Sequence, residues 1–529
     1  MNFDAVTQFF RKTDRGKSSK RRGLAVVTGD WMQQPSEKSY KILMLLPVSS
    51  KSHKNIFMPL AEALADRGHK VVMLVNHPKS SKHPNVLEIN HDLPHFKEEN
   101  QNMFISRTSK GQADFFTKSL PAIARDIYKV PEVKKLYDRR KDFDLIILNH
   151  MFNEAIYPFV HEMPFITIAT IGLDARQSAM LGNPLNPAYK VVGTVLTSNR
   201  PSAWQRFQNA LAGVMRGFAW RHWTIVPLIQ KEITAQFPDL PPLLELERNL
   251  SLTLVNTHFA IDTTVPLLPS QVEIGASHCR PANPLPQDIE EWISGAGPEG
   301  VIYFSLGSFT RGSSMPVQYR DAFLEAFRRL PHRVIWKFDE ELEGVPDNVL
   351  IRKWLPQQDI LGHEKVKVFI SHSGLLSVQE TVYHAMPILA IPIYGDQPKN
   401  AMFIKMSGFG DMLTWEDITV DKLINEITKI TSNPKYRENI KKASLTLRDQ
   451  ITTPMERAVF WTEYVIRHQG APQLRCPAAN LSWVEFLMLD VVGILVVVLW
   501  VVLYVMRRVV AATVRKIFSN GDHMKKKSE

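Results

Sequence analysis
Cysteine is almost missing from this 529-residue chain, which has two, Cys279 and Cys476. Two thiols build neither a disulfide framework nor a four-ligand zinc site. They pair or stay free, and buried free thiols are the plainer expectation. No G-x-G-x-x-G follows the first strand-like run of either half, so a dinucleotide-dependent oxidoreductase is disfavoured. Residues 1–38 hold no apolar run of signal-peptide length. A basic groove is missing as well. The net charge is +11, but residues 1–22 and 507–529 each contribute +5, leaving +1 for the body between them. With the basicity confined to the tails, nucleic acid is not an expected partner.

Hydrophobic runs are present, and of two kinds. Val491–Met506 contains no charged residue and, extended upstream to Phe486, reaches the length of a bilayer span, with Asp490 near the interface. Arg507 and Arg508 follow at once, which predicts a cytosolic tail and a body on the other side of the membrane. A core helix of a soluble protein is the alternative. The shorter runs have strand length: YKILMLLPV (Tyr40–Val48), KVVMLV (Lys70–Val75), FDLIIL (Phe143–Leu148) and FITIAT (Phe165–Thr170). Between the first two, Phe57, Leu60, Ala61 and Leu64 recur on one helical face from Asn55 to Arg67, and Gly68 suits a helix C-terminus. A second series begins at VIYFSLGS (Val301–Ser308) and continues through RVIWKF, NVLIRKW, VKVFI and ILAIPI, beyond the Pro-rich Arg280–Pro286.

A chain this long exceeds one core. The pattern predicts two doubly wound α/β domains, 39–278 and 298–470, facing across a cleft and joined by a linker at 279–297. Around them stand a disordered basic extension at 1–38, a juxtamembrane segment at 471–485, a transmembrane helix at 486–506 and a basic tail at 507–529.

Chemistry concentrates between Trp354 and Gln397. VKVFI ends in Ser371-His372-Ser373-Gly374 ahead of a helical stretch, and a small-residue turn into a helix N-terminus favours phosphate oxygens. Glu380 lies nearly two turns into that helix, placed to accept from ribose hydroxyls. Trp354 offers a stacking face, with Gln357 close behind it. Asp396 and Gln397, after ILAIPI, offer an acceptor and an amide to sugar hydroxyls.

This stretch resembles the signature of the UDP-glycosyltransferases, the membrane-anchored family that conjugates small lipophilic molecules. The likeness lies in the W-x-P-Q opening, the strand–Ser-His-x-Gly turn, the downstream Glu and the closing D-Q-P-x-N. VEIGASHCRPANPLP, VIYFSLGS, LGNPLNPAYK and ANLSWVEFLMLDVVG look like further family landmarks, and His-x-Gly-Leu-Leu-Ser is similar to the arthropod branch. The end, Lys526-Lys527-Ser528-Glu529, resembles a dilysine signal of endoplasmic reticulum membrane proteins.

The resemblance implies a GT-B fold: two facing Rossmann-like domains with a C-terminal transmembrane helix. The first domain would bind a small lipophilic acceptor and the second a UDP-sugar, UDP-glucose or UDP-glucuronate, with no metal and no further cofactor. Trp354 would stack on uracil and Gln357 would contact the ribose region. Ser308, His372 and the turn at Ser373-Gly374 would hold the diphosphate, Glu380 the ribose, and Asp396 with Gln397 the transferred sugar. His53 would be the general base of an inverting transfer, a role suited to a neutral imidazole. The family's partner acid falls at Asn149 here, so Glu154, or Asp144 in a shifted alignment, is the expected substitute. The alternative is a UDP-sugar- or lipid-binding membrane protein without transfer. LGNPLNPAYK and Trp204–Ile233 would frame the acceptor, a xenobiotic or an endogenous metabolite. A single-pass protein of the endoplasmic reticulum with a lumenal body would use the sequons at Asn249 and Asn480, and a homo-oligomer is possible.

Overall fold
Runs of Val, Ile and Leu without polar alternation need cover on both faces, which a parallel sheet between helix layers supplies. In the computed structural model the first half of the chain forms β1 (Lys41–Leu46), β2 (Lys70–Val75), β3 (Val86–Asn90), β4 (Leu145–Asn149), β5 (Phe165–Ala169), β6 (Leu252–Val255) and β7 (Gln271–Glu273). All pair in parallel, in the order β3-β2-β1-β4-β5-β6-β7. The second half forms β8 (Val301–Ser305), β9 (Arg333–Lys337), β10 (Val349–Arg352), β11 (Val366–Ser371), β12 (Ile388–Ala390) and β13 (Gly410–Met412), parallel in the order β10-β9-β8-β11-β12-β13. Described residues are 31–96, 104, 109–192 and 200–525, apart from positions 33 and 309. The first 30 residues of the basic extension and the dilysine at Lys526 and Lys527 lie outside them.

Each sheet is packed on both faces by its own apolar clusters. Each also reverses its winding once, between β1 and β4 in the first and between β8 and β11 in the second. Connections leave to opposite faces at such a point, opening a crevice at the carboxyl ends of the strands, where doubly wound proteins bind ligands. The stretches after β1 and β4, and after β8 and β11, are therefore where chemistry is expected.

Helix α1 (Lys51–Asp66) follows β1 directly. The Ser50 side chain caps it, accepting from His53 N at 3.3 Å, and Phe57, Leu60, Ala61 and Leu64 bury against the first sheet. It begins four residues before the boundary that apolar spacing suggests at Asn55, because its first turn is set by the cap. Gly68, at φ +90°, turns the chain into β2. Helix α2 (Ala203–Phe218) lies in the long β5–β6 connection. In the second half, α3 (Gln357–Leu361), α4 (Leu375–Tyr383) and α5 (Gln397–Ser407) carry the residues after β10, β11 and β12. Helix α6 (Pro454–Arg467) then returns to the first sheet, where Val459, Val465 and Ile466 join the cluster of Ile42 and Phe57.

Residues 476–529 form a separate unit. Met488, at φ 52°, ends the short helix Trp483–Phe486 region, and α7 (Leu489–Lys525) starts beyond it. Its segment Leu489–Lys516 is long and apolar enough to cross a membrane, and none of it is buried. At about 1.5 Å per residue it exceeds the roughly 30 Å of a hydrocarbon core. A core helix would need packing partners that this one lacks among the described residues. Both cysteines are free thiols.

Candidate active site
At the second switch point, β8 ends in a turn where Gly307 (φ +84°) and Ser308 pass beside the turn that leaves β11. The His372 ring is wedged between them: a Cβ on Gly307 would lie 2.6 Å from it, and one on Gly374 2.5 Å. A side chain at either position would have to displace that ring, and Gly307 also holds a backbone conformation that other residues rarely adopt. Ser373 takes a left-handed backbone (φ 63°), held by Ser371 Oγ accepting from Ser373 N at 3.1 Å and by Asn400 Nδ2 donating to Ser373 O at 3.0 Å. The turn opens α4, so a row of backbone N–H groups begins at Gly374. His372 Nδ1 and Ser373 Oγ are buried without hydrogen-bond partners, and burial lowers His372 to about 4, so its ring is neutral near pH 7.

Further along α4, Glu380 Oε2 accepts from Gln357 Nε2 at 2.5 Å. The same amide reaches Ser377 Oγ at 3.2 Å, while Tyr303 OH donates to Gln357 Oε1 at 3.1 Å. His278 Nε2 stands 3.6 Å from Glu380 Oε1. Burial raises Glu380 to about 7, against the opposing Gln357 hydrogen bond and Arg280 charge. Asp396 caps the other side of the turn, accepting from Leu375 N at 3.2 Å and Asn400 Nδ2 at 2.6 Å; its burial raises its pKa. Gln397 Oε1 accepts from Ile393 N (2.8 Å) and Tyr394 N (3.1 Å), so a ligand hydroxyl would meet its Nε2. Trp354 is exposed just before α3.

At the first switch point, His53 sits in the first turn of α1 rather than in a loop. Its Nδ1 is buried without a hydrogen-bond partner, and burial, helped by nearby His77, lowers the ring to about 4. Asn149 ends β4 and clips it to β1, donating from Nδ2 to Val48 O at 3.3 Å and accepting from Thr170 Oγ1 at 3.4 Å. The hydrogen bond of Glu154 goes to Trp220 Nε1, 2.7 Å away, not to His53. Asp144 Oδ2 accepts from Lys41 N at the opposite end of the sheet.

The two crevices meet. Lys51, in the same turn as His53, places its Nζ 3.6 Å from the centre of the Trp354 ring. Farther along the same junction, Asp262 joins Lys190 (2.7 Å) in the first half to Lys399 (3.2 Å) on α5. Gln379 Nε2 donates to Asn256 O at 3.2 Å. The structure thus gathers Ser308, Trp354, Gln357, His372, Ser373, Gly374, Glu380, Asp396 and Gln397 around one crevice, with the His53 turn opposite Trp354. Lys51, Tyr303, Ser377 and His278 join them without having been picked out from sequence. Of these, His278 lies within VEIGASHCRPANPLP, Tyr303 within VIYFSLGS and Ser377 at the end of His-x-Gly-Leu-Leu-Ser, stretches already singled out, whereas no pattern marks Lys51.

Two facing parallel α/β sheets with a crevice between their carboxyl ends are the GT-B glycosyltransferase arrangement. Solved structures of that class share the fold: a glycotransferase of kitacinnamycin (TM-score 0.54, 18% identity, covering 80% of this chain and 99% of that one) and the calicheamicin glycosyltransferase (TM-score 0.53, 15% identity, 82% and 99%). The sequence family described as UDP-glucoronosyl and UDP-glucosyl transferase matches residues 42–524, and the chain belongs to it. Among curated relatives, a UDP-glycosyltransferase of Dactylopius coccus is 33% identical over 92% of this chain and 95% of its own length. The human 2-hydroxyacylsphingosine 1-beta-galactosyltransferase is 27% identical, with 93% of each chain covered.

Proposed function
We propose that this UDP-glycosyltransferase moves a hexose or hexuronic acid from UDP-glucose or UDP-glucuronate to a hydroxyl of a small lipophilic acceptor, with inversion. One observation carries the reading: the turn that holds His53 lies against the base-stacking platform, with Lys51 on Trp354. Uracil stacks on Trp354, the Glu380–Gln357 pair takes the ribose, and the Gly374 turn with Ser308 and His372 holds the diphosphate. Asp396 and Gln397 grip the hexose. His53 then accepts the acceptor's hydroxyl proton at the ring nitrogen opposite its buried Nδ1. The freed oxygen attacks the anomeric carbon, the bond to the diphosphate breaks, and its electron pair leaves on UDP. The helix N-terminus favours that growing negative charge. The anchor and the resemblance support a lumenal body on the endoplasmic reticulum membrane and a part in conjugating metabolites or foreign compounds.

Incubating the membrane-reconstituted protein with each donor and a panel of phenols tests the reading, with conjugates sought by mass spectrometry. Donor binding without conjugate for either sugar would favour the second reading, a donor-binding protein without transfer. The feature behind that second reading is Asn149, whose hydrogen bonds go to Val48 and Thr170. His53 has no carboxylate partner among the described residues, and Glu154→Gln, which keeps an acceptor for Trp220, is expected to leave kcat nearly unchanged. A loss matching that of His53→Ala would make Glu154 the second half of the dyad.

Lys51 occupies one face of the Trp354 indole, a contact of about 0.5–1 kcal/mol at an exposed site. If uracil takes that face, Lys51→Ala is expected to tighten UDP by roughly two- to fivefold in calorimetry; an unchanged Kd would put uracil on the other face. Glu380 gives a pH dependence. Its carboxylate, raised to about 7, loses acceptor capacity as it protonates, so donor KM should climb as pH falls below 7. Glu380→Gln should flatten that profile, and a slope that survives the substitution would point to another group.

A further inference from the structure
Between β1 and α1 the chain turns through Pro47, Val48 and Ser49, and side chains from neighbouring strand ends take all three carbonyls. His91, just beyond β3, donates from Nε2 to Pro47 O at 2.9 Å. Asn149, the last residue of β4, donates to Val48 O at 3.3 Å. Asn76 and His77, just beyond β2, both donate to Ser49 O, from Nδ2 at 2.9 Å and from Nε2 at 2.8 Å. Asn76 Oδ1 also accepts from Ser49 Oγ at 2.8 Å. The register brings them there: Leu46 pairs with Val75, so the chain leaves β1 and β2 side by side. On the other side of His53, Lys54 is tied to the same β2–β3 connection. Its Nζ donates to Pro78 O at 2.6 Å and pairs with Glu88 of β3 at 2.5 Å, while Glu88 Oε1 accepts from Ser80 N and Ser81 N, both at 2.7 Å. Lys54 and Glu88 are 4% and 3% exposed. A buried pair is often no more stabilising than apolar residues of the same size, so a fixed geometry is its contribution.

We infer that Asn76, His77 and His91 are positioning residues for the transfer, holding this turn so that His53 keeps one bearing toward the acceptor hydroxyl. The inference rests on the reading of His53 as the general base. A carboxylate partner would orient that imidazole through Nδ1, but the nitrogen is buried without a hydrogen-bond partner. The ring is held from beneath instead: Ser50, next to the clamped Ser49, caps α1 by accepting from His53 N itself. Folding does not require so much. Turn carbonyls at a sheet edge are satisfied by water as well as by side chains. Proton transfer is stricter, since a base must stay within hydrogen-bond reach of the proton, and a misplacement of about 1 Å can cost roughly 10²-fold. Asn149 belongs to the same cradle, gripping the turn from the β4 side while Asn76 and His77 grip it from the β2 side.

The full chain in detergent is compared with Asn76→Ala/His77→Ala and with His77→Gln, whose amide can still donate to Ser49 O. The double variant is expected to lose roughly 10- to 100-fold in kcat at unchanged UDP affinity, and His77→Gln to keep most of the natural kcat. A second readout is electrical. After burial, His77 is the other cause that lowers His53, so His77→Gln should move the acid limb of kcat upward from about 4. The remaining ionisable groups around His77, which are Lys54 of α1, Lys79 in the same connection, Glu88 of β3 and His91 and Asp92 beyond it, are kept in both variants. The His53 Cε1–H nuclear magnetic resonance signal, assigned by its loss in His53→Ala, reports the same titration without turnover. A double variant with the natural kcat overturns the inference, as does one whose UDP affinity falls along with kcat. A His53 titration that stays put in His77→Gln overturns it too, because the two rings would then not be neighbours. His53→Ala separates the two claims: if it lowers kcat and the double variant does not, this inference fails alone, and if it leaves kcat natural, the reading of His53 as the base fails first.

Discussion

His53→Ala is expected to lower kcat by about 10²–10⁴-fold, the usual worth of a positioned general base, while UDP affinity measured by calorimetry stays unchanged. The separation follows from the architecture, because His53 belongs to the first switch point and the groups proposed to hold the donor to the second. The pH profile gives an independent check. An ordinary histidine would impose an acid limb on kcat near 6.5, whereas burial and His77 hold this one at about 4. The acid limb of kcat should therefore lie near pH 4, with donor saturating so that Glu380 does not intrude. The depressed value has a cost. An imidazole that resists protonation is a weaker base, and with Nδ1 unpartnered no carboxylate steadies the imidazolium. Turnover should be slow for this chemistry. A limb near 6.5, or a His53→Ala variant of normal kcat, would remove His53 from the reaction.

The largest effect on stability is expected at Glu463, far from the chemistry. This residue of α6 is buried, with Arg67 Nε at 2.5 Å, Arg67 Nη2 at 3.1 Å, His69 Nε2 at 2.9 Å and Arg467 Nη1 at 3.1 Å. Glu463→Ala leaves the guanidinium of Arg67 buried without its carboxylate, a loss of about 3–5 kcal/mol for breaking a buried pair from one side. Glu463→Gln keeps one acceptor oxygen and should fall between the variant and the natural chain. Thermal denaturation in detergent measures both, and an alanine variant as stable as the natural chain would show the network to be dispensable. The same carboxylate sets an acid limit. These partners hold it at about 2, below the 4.5 of a free glutamate. Its contribution is thus present in full above pH 4.5 and is lost as pH falls from there through about 2. Replacing Glu463 by Gln should flatten stability across that window.

Much of the scaffold is legible in the chain itself. KVVMLV is β2 from end to end, and VKVFI extends by one residue, Ser371, to become β11. Each is an apolar run with a single lysine and no polar alternation, the kind that a sheet covered on two faces accepts. β7, β12 and β13 each span three residues, and composition alone fixes neither β7 nor β13. The second crevice is legible for a related reason: its residues follow consecutive strand ends in chain order, from Trp354 to Gln397, so a linear motif maps onto one place. Contacts that close over long separations escape. Tyr303 meets Gln357, and His278 meets Glu380, through side chains with no shared periodicity. Nor does spacing say which face of an amphipathic helix looks inward. Apolar residues recur along α2 as they would on a core helix, and only the burial of Asn209 and the close fit of Gly213 settle its orientation.

The return of α6 to the first sheet has a mechanical corollary. The polypeptide crosses between the halves twice, once in the Pro-rich stretch before β8 and again after β13, so the second half hangs as a loop from the first at both of its ends. Two attachment points restrict relative motion to rocking about the line that joins them.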